Sequence, residues 1–327
     1  MTLVLTRGDV AALLTLDECI AAVEHAFALQ AEGKALGPGV LGLHVPGGGF
    51  HVKAAGLALE RFYFAAKLNA NFPDNAGRRG LPTIQGVVVL SDGETGQPLA
   101  LMDSMEITAL RTGAATAVAA RYLARPDARV ATIVGCGRQG RIQLAALARV
   151  RRLERVYAMD RDATVSRQFA REMSAELGVD VRPVAALAEA SRQSDLLVTC
   201  TPSRSPLLGR EDVAPGAFVA GVGADNEYKQ ELDPGLLASA SVVVDNLEQC
   251  AAIGDLHHAL RAGAMALTDV WAELSDVVVG RKPGRRSPDD IVIFDSTGVA
   301  IEDVATAAMV YEKAIGAARG IAVELGT

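Results

Sequence analysis

Apolar residues first recur with helical spacing at Leu16, Ile20, Val23 and Phe27, which predicts a helix over residues 15 to 32. Thr15 caps it, Glu18 completes a capping box, and His25 reads as a surface residue rather than a ligand. Residues 38 to 49 hold five glycines and two prolines, so they form a loop or an irregular edge strand. Period-two alternation from Phe50 to Ala54 then sends His51 and Lys53 to one side of a strand. A second strand, Phe62 to Asn69, has Lys67 as its only charge. Thr83 to Met102 reads as a hairpin turning at Asp92-Gly93-Glu94-Thr95-Gly96. Asp103-Ser104-Met105-Glu106 resembles a capping box, and the helix it opens runs through Arg111 to about Leu123. That helix consists almost wholly of small or apolar residues, so it packs on several sides. Beyond Arg125-Pro126 the rhythm becomes strand, helix, strand. Val130 to Val134 is an apolar run that predicts a strand buried on both faces, and a helix rich in Ala and Leu follows to Val150. Further strands are predicted at 155–159, 179–184, 195–201, 217–224, 241–245 and 291–294, and a last helix at 304–323.

The first of these later strands ends in Gly135-x-Gly137-x-x-Gly140, and the second ends at Asp160, about 20 residues on. A lone G-x-G-x-x-G is weak, but strand, glycines, helix, strand and terminal acid in this order are strong. The first glycine allows a tight turn, the second lets backbone approach a pyrophosphate, and the third lets helix pack on strand. Arg138 precedes the helix, which Gln139 opens and whose free N–H groups face the anion. Asp160 would bind an adenosine ribose and repel a 2′-phosphate, which favours NAD. Arg161 follows at once and would pair with such a phosphate, which leaves NADP open. Thr201, in Thr201-Pro202-Ser203, falls at a strand's C-terminal end, where such sheets bind ligands, and Asp225 reaches the same edge. The alternative for Asp225 is a cap on the next segment.

Composition agrees. The 327 residues suggest two domains, and the chain is 50% hydrophobic but only 4% aromatic, as suits an α/β fold. A net charge of −7 with scattered Arg argues against nucleic acid. Cys19, Cys136, Cys200 and Cys250 are isolated, as in a reduced, cytoplasmic protein with neither disulfides nor a metal site. His257 and His258, on a predicted helix, have no metal-ligand spacing to other candidates. Charges interrupt every apolar stretch near the N-terminus, and no run reaches membrane-spanning length, so neither signal peptide nor membrane segment is expected.

Two cations stand in apolar settings. Lys67 is either an edge-strand gatekeeper or a functional cation facing an anionic substrate or imine. Arg111 needs an anion, because an unpaired buried charge is costly. That anion is either a structural carboxylate or the carboxylate of a substrate.

Taken together, these features resemble the ornithine cyclodeaminase/mu-crystallin family over essentially the whole chain. The carriers are the Lys67 strand with Asn69 and Pro73, the segment around Thr83, and Ala109-Leu110-Arg111-Thr112. They continue with the glycine turn, Gly221-Val222-Gly223-Ala224-Asp225 with Lys229-Gln230-Glu231-Leu232, and Asp295-Ser296-Thr297-Gly298 with Glu302-Asp303. The resemblance implies a Rossmann NAD-binding domain at 125–299 and a discontinuous α/β substrate and dimerisation domain at 1–124 and 300–327. It also implies a homodimer and an active site in the cleft between the domains. By motif, Lys67 and Arg111 match residues holding the substrate α-carboxylate, and Asp225 matches the acid that contacts the reacting amine or imine. Thr83 matches a cofactor- or substrate-contacting position, and Ser296 joins the cofactor set.

The chain also departs from the family. Many members carry an arginine before the His51 strand; here the region reads Gly37-Pro38-Gly39-Val40. Ornithine-acting members place an acid on the next strand for the distal amine, where this chain has His51 or Lys53. A cation there repels an ammonium and attracts a second carboxylate. The pattern is nearest to the family's iminosuccinate reductases, which make aspartate with NADH. Ornithine cyclodeamination with catalytic NAD, and dinucleotide binding without catalysis, are the alternatives.

Overall fold

A computed structural model describes residues 1–325. They divide into two compact units, Met1–Arg111 with the segment from Val299 onward, and Thr112–Gly298. The sequence suggested a change of domain after residue 124; this division falls inside the helix Ser104–Leu123.

The first unit is built on a seven-stranded sheet. Its order is Ile321–Val323, Thr2–Leu5, Pro98–Asp103, Ile84–Asp92, Phe62–Asn71, Gly48–Ala58, Ala35–Val45. The expected hairpin is its antiparallel pair Ile84–Asp92 and Pro98–Asp103. The Gly- and Pro-rich stretch forms the edge strand Ala35–Val45, whose register slips between Leu36 and Gly39. Strand alternation makes two unlike faces. Ala55, Leu57, Tyr63, Ala65, Lys67, Val88, Leu90, Ala100 and Met102 point one way and are buried. The helices Leu16–Ala31 and Ala300–Gly316 pack on that side. The first starts with the predicted capping box, Thr15 with Glu18. Leu41, Leu43, Phe50, Leu68, Val89 and Leu101 point the other way and remain exposed.

The last element departs from expectation. The helix begins at Ala300, ends at Gly316, and is followed by the strand Ile321–Val323, antiparallel to Thr2–Leu5. Ala318 and Gly320 take φ of 49° and 101°, which no continuing right-handed helix tolerates. A helix to Val323 is therefore excluded.

The second unit carries an eight-stranded, all-parallel sheet. Its order is Ala272–Glu273, Ser241–Val244, Val292–Asp295, Phe218–Gly221, Leu196–Thr199, Val130–Val134, Arg155–Met159, Asp180–Pro183. Its central strands are buried throughout, which is why they read as continuous apolar runs. Chain order reverses between Val130–Val134 and Leu196–Thr199, the place where ligands bind such sheets. A short parallel pair, Arg204–Leu208 with Gln230–Leu232, gave no periodic signal and was not foreseen. No helix of the described residues is long and apolar enough to cross a membrane.

Candidate active site

In the first unit Lys67 stands on an inner strand, so the edge gatekeeper reading falls away. Its side chain is 3% exposed, and its ammonium donates to both oxygens of Asp303, at 2.7 and 2.6 Å. Arg111 donates from Nη1 to Glu302 at 3.0 Å, and its Nε lies 3.2 Å from Asp303. Two buried cations thus meet adjacent buried acids from the first turn of the helix Ala300–Gly316. These are the structural carboxylates that the sequence had left as one alternative for Arg111.

The ladder pairs Lys53 directly with Lys67 and His51 with Asn69, so all four side chains share a sheet face. Asn69 accepts from Ser104 Oγ at 2.6 Å and donates toward Thr108 at 3.5 Å, which ties this face to the helix bearing Arg111. Burial lowers the Lys67 pKa to about 7, helped by the Arg111 guanidinium and Lys53, while Asp303 opposes the shift. Burial disfavours the Asp303 carboxylate, but Lys67 and Arg111 outweigh it and hold the group below its usual range. Lys53, Lys67 and Arg111 thus bring three cationic side chains within electrostatic reach of one another around Asp303.

In the second unit the strand Val130–Val134 delivers Gly135 at φ 99°, a conformation that favours glycine. A Cβ on Gly135 would come within 2.9 Å of the Cys200 carbonyl oxygen and 3.0 Å of Thr201 Cγ2. One on Gly140 would overlap the Gly135 carbonyl, while one on Gly137 would meet nothing within 4 Å. The outer glycines serve packing and the middle one faces open space, as a phosphate cradle requires. Gly137 caps the helix Arg138–Val150, and the side-chain Nε2 of Gln139 in its first turn is buried without a hydrogen-bond partner among the described residues. The Ser296 hydroxyl, past the strand Val292–Asp295, is likewise buried and unmatched.

Asp160 follows the strand Arg155–Met159. Its carboxylate accepts from the backbone N–H of Cys136 at 2.9 Å and of Asp162 at 3.0 Å, which fastens the strand end to the glycine turn. A cavity of ≈ 330 Å³ opens beside it, lined among others by Asp160, Arg161, Arg167, Pro183 and Val184. The uncovered glycine, the two orphaned polar groups and this cavity fit a dinucleotide.

Asp225, past the strand Phe218–Gly221, accepts from Lys229 Nζ at 2.7 Å. In the same loop Asn226 accepts from the N–H groups of Tyr228 and Lys229 at 3.0 and 3.2 Å. Thr201 adjoins the glycine turn, but its hydroxyl donates to Glu231 at 2.7 Å. Thr83 lies in the first unit, just before the strand Ile84–Asp92, where its carbonyl accepts from Phe72 N–H at 2.8 Å. The first unit therefore gathers His51, Lys53, Lys67 and Arg111, and the second gathers Gly135, Gly137, Arg138, Gln139, Gly140, Asp160, Arg161, Thr201, Asp225 and Ser296.

The sequence assigned no role to Glu302, Asp303 or Glu231. For Glu302 and Asp303 the signal was present, since they are acids flanked by apolar residues on both sides; Glu231 stands between Gln230 and Leu232 in a polar stretch and carried none. His257 and His258 bond the carbonyls of Ala251 and Lys229 at 3.0 and 2.9 Å, and the described residues hold no group of three metal-ligating side chains.

The model of the ornithine cyclodeaminase/mu-crystallin family matches residues 1–318. The chain belongs to that family. Among solved structures, an archaeal alanine dehydrogenase dimer with bound NAD is similar at 40% identity and TM-score 0.95, covering 99% of each chain. A Δ1-pyrroline-2-carboxylate reductase from Thermococcus litoralis, in complex with NADH and L-proline, shares 35% identity at TM-score 0.94, over 98% of this chain and 100% of its own. The iminosuccinate reductase of Paracoccus denitrificans, in complex with NAD+, shares 33% at TM-score 0.92, over 99% of each chain. These family members all bear NAD or NADH.

Proposed function

We propose that this family member is an NAD-dependent reductase that turns a small imino acid into its amino acid, with iminosuccinate, yielding aspartate, as the first candidate. The observation that carries the reading is the sheet face shared by His51, Lys53 and Lys67, with the Arg111 guanidinium beside Lys67. Lys67 and Arg111 grip the α-carboxylate, and Arg111 offers the planar fork that suits it. His51 and Lys53 read the second acid group. Asp225 accepts a hydrogen bond from the protonated nitrogen and holds the proton there. Bound NADH supplies hydride to the imine carbon. Lys67, with its pKa lowered by burial to about 7, is able to exchange a proton near pH 7. The residues around Asp160 favour NAD; Arg161 and Arg167 in the same cavity keep NADPH as a second donor. The unit carrying Lys67 is the substrate domain, and its exposed apolar sheet face is the contact of a homodimer.

A second reading, reduction of the pyruvate imine to alanine, is favoured by the likeness to an alanine dehydrogenase and by the two acids that already balance Lys67 and Arg111. Loss of NADH absorbance decides between them, with ammonium plus oxaloacetate, ammonium plus pyruvate, and pyrroline-2-carboxylate as substrates. Iminosuccinate should give the highest kcat/KM. Lys53→Met should lower that value by roughly 10- to 100-fold, the worth of one charge-assisted contact, and leave the pyruvate imine nearly unaffected. Preference for the pyruvate imine would establish the second reading. No NADH consumption, with proline and ammonia formed from ornithine at catalytic NAD, would make the protein a cyclodeaminase.

A further inference from the structure

The short strand Gln230–Leu232 carries a carboxylate that the proposed chemistry does not use. Glu231 is completely buried. Its Oε1 accepts from the Thr201 N–H at 2.6 Å and the Thr201 hydroxyl at 2.7 Å, and its Oε2 accepts from the Gly223 N–H at 2.7 Å. All three donors are neutral, and they belong to two loops. One follows the strand Leu196–Thr199 beside the glycine turn, and the other follows Phe218–Gly221 and leads to Asp225. Burying an acid against neutral partners is costly, and a weaker device would fasten two loops at less expense. What a carboxylate alone offers is acceptors at both ends. A glutamine in its place would turn an N–H group toward one of these N–H donors.

The surroundings are shaped to the same end. A Cβ on Gly223 would come within 2.6 Å of the Glu231 carboxyl, so the residue next to the loop's turn is one without a side chain. Asp255, also fully buried, accepts from the N–H groups of Glu231 and Leu232 at 2.8 and 3.0 Å. Asp295 accepts in turn from the N–H groups of Asp255 and Leu256 at 3.2 and 2.8 Å. Behind Glu231 there is thus a file of buried acids, each holding the backbone that carries the one before it. On the far side His258 bonds the carbonyl of Lys229, whose ammonium meets Asp225.

We propose that Glu231 is a positioning residue that clamps Thr201 to Gly223 and thereby sets where Asp225 stands relative to the cofactor-side loop. This rests on the role given above to Asp225. A small displacement of a group that must meet a reacting nitrogen costs about 100-fold in rate, and it does so without loosening the grip of Lys67 and Arg111 on the carboxylate. Glu231 should therefore act on kcat and leave KM nearly alone.

The test compares Glu231→Gln, Glu231→Asp, Asp225→Asn and the double variant Glu231→Gln/Asp225→Asn, all as full-length protein. Steady-state rates are read together with backbone hydrogen exchange at residues 201 and 223–225. In Glu231→Gln, kcat should fall about 100-fold with KM changed less than about threefold. Exchange at both loops should quicken, and Glu231→Asp, which keeps the acceptors but shortens the reach, should recover part of the rate. The double variant should be no slower than Asp225→Asn alone, because residues acting as one unit are not additive. Unchanged exchange, an unchanged kcat, or losses that multiply in the double variant would each overturn the proposal. If no imino acid is turned over by the parent protein, the functional reading fails by itself. Exchange at residues 201 and 223 in Glu231→Gln still decides the clamp: faster exchange supports it and unchanged exchange removes it. Should Glu231→Gln not fold, the same rates and exchange read on Glu231→Asp carry the decision, with an intermediate loss of kcat expected.

Discussion

Lys67 is asked to be a cation in a place that resists cations. Burial and the neighbouring Arg111 and Lys53 push its proton off, Asp303 with its bidentate contact holds it on, and the balance falls at about 7. In the free protein, then, the Lys67 charge proposed to hold the substrate carboxylate is present below about pH 7 and is lost above it. The pH profile of kcat/KM for the best imino acid should carry a limb that falls above about 7. In kcat the limb should move to higher pH, because a bound carboxylate favours the charged amine. Lys67→Arg, which stays charged, should erase the limb; a limb that persists in that variant would assign it to another group. Stability responds with the opposite sign. Between about 7 and the ordinary lysine value of 10.5 the unfolded chain holds the extra proton, so the contribution of Lys67 to stability rises with pH across that window. Glu302 and Asp303 explain why the arginine and lysine tolerate burial at all, and neither was legible as their partner, since nothing in the sequence links residue 67 to residue 303.

Among the elements, the glycine turn separates packing from binding most sharply. Gly140→Ala places a methyl group on the Gly135 carbonyl and should cost roughly 1–3 kcal/mol in a denaturation experiment, by overpacking. Gly137→Ala meets no neighbour and should leave stability within about 0.5 kcal/mol. It should nevertheless weaken NADH binding, read by the fluorescence of the reduced nicotinamide, because the methyl fills the space of a phosphate. Equal affinity for Gly137→Ala and the parent would dissociate this turn from the cofactor. This turn was legible from sequence because its strand, glycines and acid are local and contiguous. So were the helix Leu16–Ala31 with its capping box and the hairpin strands Ile84–Asp92 and Pro98–Asp103. What the sequence does not carry locally depends on distant pairing. Ile321–Val323 is a strand only because Thr2–Leu5 lies beside it, and Gln230–Leu232 only because Arg204–Leu208 does. Glu231 was hidden for the same reason: its three donors lie at residues 201 and 223.

At the scale of the whole molecule, the first unit presents a sheet with one covered face and one bare face. Leu41 and Leu43 are 53% and 56% exposed, and Phe50, Leu68, Val89 and Leu101 continue the same apolar surface inward. A surface of this kind on a sheet is the mark of an association partner, and a second copy is the one proposed here. Leu41→Glu with Leu43→Lys should convert the dimer to a monomer in sedimentation or light scattering, with the NADH affinity of the glycine turn preserved. A parent protein that is already monomeric would remove the proposal. The first unit is also sewn from both ends of the chain, because the helix Ala300–Gly316 comes after the entire eight-stranded sheet. During synthesis Lys67 and Arg111 leave the ribosome long before Glu302 and Asp303, and until those acids emerge the two cations have no carboxylates of this helix to enter the core with. The eight-stranded sheet can close while the chain is still growing, and the face that carries Lys67 matures after it.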